Sequence, residues 1–354
     1  MTAIVLAAFI ILPLIVIGIG RGINAARLAI RDGVQERLFV TLGDIEQVIH
    51  VRGRDANNPV IIWLHGGPGW SDAYELAHWQ YPMEHDYTFI RWDQRGSGRT
   101  YLHNPDAPLS LDILIADVAD LVDYAIARFG RPVYIVGDSW GTVLGITYAS
   151  RHPEKIAGFV GVAQVIDDLE STKIGIETGI ERAMAAGNTG DAEQMRAVYQ
   201  RIQGKSPTDE DVDFNDFSLA QSLPSKYLAP SGTRYENQGL GILFSPWFGF
   251  PEIKQLVSVF TINGSLFADR NKPLFDAIGS FVPPERLEVP VAFIMGGEDF
   301  ITPTALVADY CNRVEAPSKN MFVIEGTGHS PYRAQPEVFA EMLDEALTGF
   351  YRAL

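Results

Sequence analysis

Hydrophobic and polar positions divide the chain into three regimes. The first is an unbroken apolar run, Ala3 to Gly20, with no charged or strongly polar side chain. As a helix it reaches about 27 Å, close to the hydrocarbon thickness of a bilayer, and Pro13 is tolerable in such a segment. No basic residue precedes the run, as a cleaved signal peptide requires, whereas Arg21, Arg27 and Arg31 follow it. This pattern predicts a single-pass membrane anchor through residues 3–20 with the globular part on the cytoplasmic side. The alternative is a hydrophobic helix that docks on the protein itself or on a partner. Ile23 to Leu38 mixes arginine with spaced apolar residues and reads as an amphipathic helix at the interface.

The second regime alternates short apolar strands with helical patterns. Leu38–Leu42 and Glu46–Arg52 flank Gly43-Asp44 as a hairpin. Pro59–Leu64 and Thr88–Trp92 read as strands, Leu109–Phe129 as a helix capped by Ser110 and stopped by Gly130, and Val133–Val136 and Gly158–Ala163 as further strands. From about Asp167 to Glu288 the rhythm breaks into helical patterns (168–186, 192–202, 217–227, 251–262) and aromatic loops, which predicts a helical cap. The rhythm resumes with a strand at Pro290–Met295, a helix at Thr304–Val314, a strand at Asn320–Ile324 and an amphipathic helix at Pro336–Tyr351. Eight predicted strands with interleaved helices specify an α/β protein with a mostly parallel sheet. The predicted units are 1–36 (anchor and linker), 37–166 with 289–354 (catalytic domain), and 167–288 (cap).

Composition narrows the partners. The 354 residues are 47% hydrophobic and carry a net charge of −16, so a phosphate backbone is repelled and no nucleic-acid partner is expected. The single cysteine, Cys311, excludes an internal disulfide and a cysteine-rich metal site; its apolar neighbours suit an inert buried thiol. Neither a G-x-x-x-x-G-K loop nor an H-E-x-x-H helix is present, so no cofactor and no metal is expected.

The chemistry gathers at Gly137-Asp138-Ser139-Trp140-Gly141, a G-x-S-x-G that follows an apolar strand and opens a helix. Such a turn pushes a serine hydroxyl out at the carboxyl end of a sheet, and its glycines are there because a Cβ would clash. A serine nucleophile needs a base and the base an orienting acid, here expected in the chain order serine, acid, histidine. Two of the seven histidines follow Ser139. His152 lies at the far end of the helix that starts at the serine, which leaves His329 on the glycine-rich loop after the last strand. The acid follows the preceding strand as Asp299, with Glu298 the alternative. The oxyanion donors are assigned to the backbone N–H of Trp140 and of Gly67 in His65-Gly66-Gly67-Pro68-Gly69. Asp93 and Arg95 are expected to brace neighbouring loops.

His65–Gly69, Trp92–Gly98 and the serine turn together resemble the α/β hydrolases of the proline iminopeptidase type. The resemblance covers about 37–163 and 289–354, and it implies an acyl-enzyme mechanism beneath a helical cap. It weakens in the cap. In that family acidic cap residues read the substrate's free amino group, one of them in a Trp-Glu pair. Here Trp247 is followed by Phe248, Glu177, Glu181 and Glu236 are the remaining carboxylate candidates, and Asp138 stands where the family usually has glycine. The expectation is a serine hydrolase acting on a small molecule or short peptide, foremost an aminopeptidase. An esterase or lactonase is the alternative, and a membrane-tethered ligand sensor or scaffold without turnover is the alternative of another class.

Overall fold

The computed structural model describes residues 2–77, 79–205, 209, 212–228, 238–260 and 264–353; at 2–10, 76–77, 214, 218, 238–240, 258–260, 264–266, 268 and 351–353 only the backbone is described. Eight strands form one sheet: β1 (Val34–Leu42), β2 (Ile45–Gly53), β3 (Val60–Leu64), β4 (Thr88–Asp93), β5 (Val133–Asp138), β6 (Ile156–Val162), β7 (Val291–Gly296) and β8 (Lys319–Ile324), in the order β1-β2-β4-β3-β5-β6-β7-β8. The β1–β2 and β2–β4 pairs are antiparallel and the others parallel. The helices are α1 (Thr2–Arg27), α2 (Gln80–Met83), α3 (Gly98–His103), α4 (Leu111–Phe129), α5 (Trp140–Arg151), α6 (Asp168–Ala185), α7 (Thr189–Ile202), α8 (Phe214–Leu228), α9 (Gln238–Phe244), α10 (Phe250–Phe260), α11 (Gly264–Gly279), α12 (Thr304–Arg313), α13 (Pro331–Ala334) and α14 (Pro336–Ala353).

Buried strands explain the continuous apolar runs, because both faces of the sheet are covered. In β3, Val60, Ile62 and Leu64 join the cluster beneath α4, α5 and α12, while Ile61 and Trp63 join the opposite cluster with Phe339, Leu343 and Phe350 of α14. Each such fully buried large side chain is worth roughly 1.5–3 kcal/mol. Helix α4 starts and stops as its sequence requires: Ser110 Oγ accepts from the Ile113 N–H at 3.3 Å, and Gly130 closes the helix at φ 69°.

Among the described residues between β6 and β7 lie six helices, α6–α11. Ile176, Met195, Val198 and Phe217 give α6–α8 their own apolar centre, and Phe248 and Leu256 pack with Tyr74 of the sheet domain. Helices α9 and α11 are absent from the sequence-based expectation. The first is seven residues long with two glycines, and the second contains Pro273, so propensity argues against both.

The amino-terminal expectations need correction. Helix α1 ends at Arg27, and residues 34–38 of the expected interfacial helix belong to β1. Gly33, at φ 151°, turns the chain between them. The end of α1 is tied to the protein: Arg21 Nε donates to the Leu243 carbonyl at 2.7 Å and Asn24 Nδ2 to that of Phe244 at 3.1 Å. Further out Ile11, Leu12, Leu14, Ile15 and Ile19 are exposed. Among the described residues no helix is long and apolar enough to cross a membrane, and the side chains of 3–10 lie outside the described residues. The transmembrane expectation therefore gains no support.

Candidate active site

The serine turn is built by close approach. A Cβ on Gly137 would stand 2.5 Å from the Gly141 carbonyl oxygen, and one on Gly141 would collide with that of Leu64, so neither position admits a larger residue. Ser139 itself adopts φ 50°, ψ −118°, a left-handed conformation that a non-glycine residue holds only under constraint. The constraint is visible: the Ser139 N–H donates to Val162 of β6 at 2.9 Å, and its carbonyl accepts from the Thr142 N–H at 2.8 Å and the Thr142 hydroxyl at 2.6 Å.

The register of the parallel strands brings three loops to this turn. Leu64 pairs with Gly137, Asp138 with Val162 and Gly296 with Ile324, so the loops after β3, β5, β7 and β8 leave from one edge. His329, on the loop after β8, presents Nε2 at 2.9 Å from Ser139 Oγ. Its Nδ1 stands 3.0 and 3.2 Å from the two oxygens of Asp299, on the loop after β7. Asp299 is held by the N–H groups of Ile301 and Thr302 at 2.9 and 3.0 Å and by the Thr302 hydroxyl at 2.6 Å. Glu298, the alternative acid, points elsewhere, 3.6 Å from Arg182 of α6. His152 lies at the carboxyl end of α5 with its ring against Tyr148. Burial opposes a charged His329 ring, but the charge and hydrogen bond of Asp299 and the charge of Asp138 prevail, and its pKa is raised.

Gly66 and Gly67 line the cavity with Ser139 and His329; Gly67 has φ 135° and precedes a cis Pro68. Trp140 is the first residue of α5, directly after the serine. Gln94 joins these loops: its amide donates to the His65 carbonyl at 2.8 Å and accepts from the Trp140 indole at 3.0 Å. The Asp93–Gly98 segment braces the surroundings. Asp93 accepts from Ser71 at 2.5 Å and from the Arg99 N–H at 2.9 Å, while Arg95 forms a bidentate pair with Asp117 at 2.8 and 3.0 Å and reaches Asp44 at 2.7 Å.

The cavity has a volume of about 430 Å³. Its insertion side is apolar, contributed by Ile242, Leu256 and Val257, and Trp70 and Tyr74 add aromatic surface. Its acidic and basic side chains are Asp72, Asp138, His329 and Arg333. Of the cap carboxylates, Glu177 and Glu181 are exposed and line no part of it, and Glu236 lies outside the described residues. Asp138, Tyr332 and Arg333 carry no role in the sequence reading; position 138 stands out there only as a departure from glycine. Among the described residues no three His, Cys, Asp or Glu side chains are grouped to hold a metal ion.

Comparison with known proteins bears on the fold. A family model described as alpha/beta hydrolase fold matches residues 59–333. The chain is 27% identical to "Probable aminopeptidase YbaC" of Bacillus subtilis (strain 168), over 86% of this chain and 93% of the relative. It is 23% identical to a proline iminopeptidase of Xylella fastidiosa (strain 9a5c), over 80% and 87% of the two chains. Its fold matches the crystal structure of a proline iminopeptidase-related protein from Thermus thermophilus with a TM-score of 0.59 at 19% identity, covering 91% of this chain and 100% of that one.

Proposed function

Since the chain belongs to the alpha/beta hydrolase fold family, we propose that it is a serine hydrolase with Ser139 as nucleophile, acting through an acyl-enzyme on a small amide or ester, foremost at the amino end of a short peptide. One observation carries this reading: Ser139 Oγ, His329 and Asp299 form a continuous hydrogen-bonded series, 2.9 Å and then 3.0 Å. The aminopeptidase and iminopeptidase names of the relatives support the peptide end of the range.

The steps follow from the donors and acceptors. His329 Nε2 takes the Ser139 proton as Oγ attacks the substrate carbonyl. Asp299 accepts from Nδ1–H, which fixes the tautomer and stabilises the imidazolium. The tetrahedral oxyanion is received by the Trp140 and Gly67 N–H groups. The imidazolium returns its proton to the leaving amine or alcohol, which departs and leaves an ester on Ser139. Water, deprotonated by the same imidazole, attacks that ester; the tetrahedral intermediate collapses and the serine regains its proton.

Ester hydrolysis is the second reading, favoured by the apolar insertion side of the cavity. Prolyl p-nitroanilide and short-chain p-nitrophenyl esters, assayed side by side with Ser139→Ala as control, separate the two. Anilide turnover that vanishes in Ser139→Ala is the expected result. Ester turnover alone would overturn the peptidase reading, and turnover that survives the substitution would overturn Ser139 as nucleophile.

A further inference from the structure

Of Asp72, Asp138, His329 and Arg333, which line the cavity, three have an acidic or basic partner. Asp72 is paired with Arg91 at 2.9 Å, Arg333 with Glu75 at 2.6 Å, and His329 with Asp299 at 3.0 Å. Asp138 is the exception. Its Oδ2 accepts from the Tyr332 hydroxyl at 3.0 Å, and its buried Oδ1 has no hydrogen-bond partner among the described residues. His329 and Arg333 act on it only through space. The residue is 6% exposed.

An unpaired buried carboxylate is costly, and nothing in the turn demands one. The steric rules of the turn fall on Gly137 and Gly141, whereas the side chain of residue 138 lines the cavity. The carboxylate also adjoins the glycine loop: Oδ2 lies 2.9 Å from where a Cβ on Gly66 would stand. A bare negative charge there opposes the charge that develops on the substrate oxygen, and a cation beside it removes that opposition.

We propose that Asp138 is the seat of a substrate ammonium group, so that the cavity selects acyl groups bearing a small primary or secondary amine. The apolar part of the acyl group then lies against Trp70, Ile242 and Leu256. This rests on the serine hydrolase reading and moves recognition of the amine from the helical insertion to the end of β5. Asp138 is a binding residue here, with no part in the proton transfers.

The test uses isosteric pairs at about pH 7.5, where the amine is charged. Full-length Ser139→Ala protein is titrated calorimetrically with L-prolinamide and with cyclopentanecarboxamide, which keeps the ring and lacks the nitrogen. Prolinamide is expected to bind about tenfold or more tightly, the scale of a charge-assisted hydrogen bond. In parallel, the ratio of kcat/KM for prolyl p-nitroanilide to that for cyclopentanecarbonyl p-nitroanilide is expected to fall about tenfold or more in Asp138→Asn. Equal binding of the two amides overturns the proposal, as does an unchanged ratio. If Asp138→Asn does not fold, the amide pair decides alone. If the unsubstituted enzyme turns over neither anilide, the hydrolase reading fails while the binding experiment still decides the role of Asp138.

Discussion

His329 Nε2 stands 2.9 Å from Ser139 Oγ across a sequence separation of 190 residues. The contact exists because β5 and β8 end at one edge of the sheet and because Ser139 is held in a conformation that lifts its hydroxyl out of the turn. The proposed nucleophile is therefore also the residue that carries the backbone strain.

That strain is measurable. A left-handed non-glycine residue costs on the order of 1–3 kcal/mol, and glycine adopts the conformation freely. Ser139→Gly and Ser139→Ala should both lose hydrolysis, but the glycine variant should be the more stable by about 1 kcal/mol. Urea unfolding of the two proteins checks this. Equal midpoints would mean that the turn relaxes when the serine is gone.

The pH dependence of kcat/KM should follow His329, which must be neutral to accept a proton. Burial lowers its pKa, but Asp299 and Asp138 raise it beyond that loss, with Arg333 opposing them, so the acidic limb should lie above the ordinary histidine value of about 6.5. Asp138→Asn removes one of the raising charges and should move the limb to lower pH. A stopped assay across the range, with a neutral ester as substrate, reads the shift; an unmoved or rising limb contradicts the coupling.

Asp138 should also weaken the fold at neutral pH. Burial pushes its carboxyl pKa up from 3.8 to about 7, with the charges of His329 and Arg333 and the Tyr332 hydroxyl acting against burial. Between those two values the folded protein binds more protons than the unfolded chain, so this residue's contribution to stability is present below pH 3.8 and is lost as pH rises through about 7. Asp138→Asn keeps the shape and removes the charge. It should stabilise the protein by about 1–4 kcal/mol above neutrality and by nothing near pH 3.5. Thermal unfolding of both proteins at the two pH extremes gives the comparison.

The brace around Arg95 predicts the opposite sign. Arg95 is 1% exposed and its partner Asp117 is fully buried, with N···O distances of 2.8 and 3.0 Å. Asp117→Ala leaves the guanidinium without its bidentate partner and should cost about 3–5 kcal/mol. Chemical denaturation reads the loss; a change below about 1 kcal/mol would assign the pair no structural role.

Much of this was legible in the sequence because steric demands leave marks there. Gly137 and Gly141 flank the serine since the backbone of β3 and α5 leaves no room for a Cβ, and a motif results. His329 emerged because His152 had to be carried away along α5. Asp299 is the preferred acid in the sequence, but Glu298 stays open as the alternative there; in the fold the loop after β7 turns one carboxyl to His329 and the other to α6. Orientation of that kind has no periodicity to read. The same limit hid Asp138, whose significance lies in a missing partner, and Arg333, whose pairing with Glu75 depends on where the short α13 falls. Helices α9 and α11 escaped because tertiary packing overrode poor propensity. At the amino end, the arginines and apolar residues of 23–38 fit a helical spacing that Gly33 interrupts in the fold.

The central claim, that Ser139 is the nucleophile activated by His329, is tested most directly by covalent labelling. A fluorophosphonate probe followed by intact-protein and peptide mass spectrometry should give a single adduct on Ser139. Ser139→Ala should give none, and labelling should be slowed by about 100-fold or more in His329→Ala. No adduct on the folded, unsubstituted protein, or an adduct that persists in Ser139→Ala, would contradict the account.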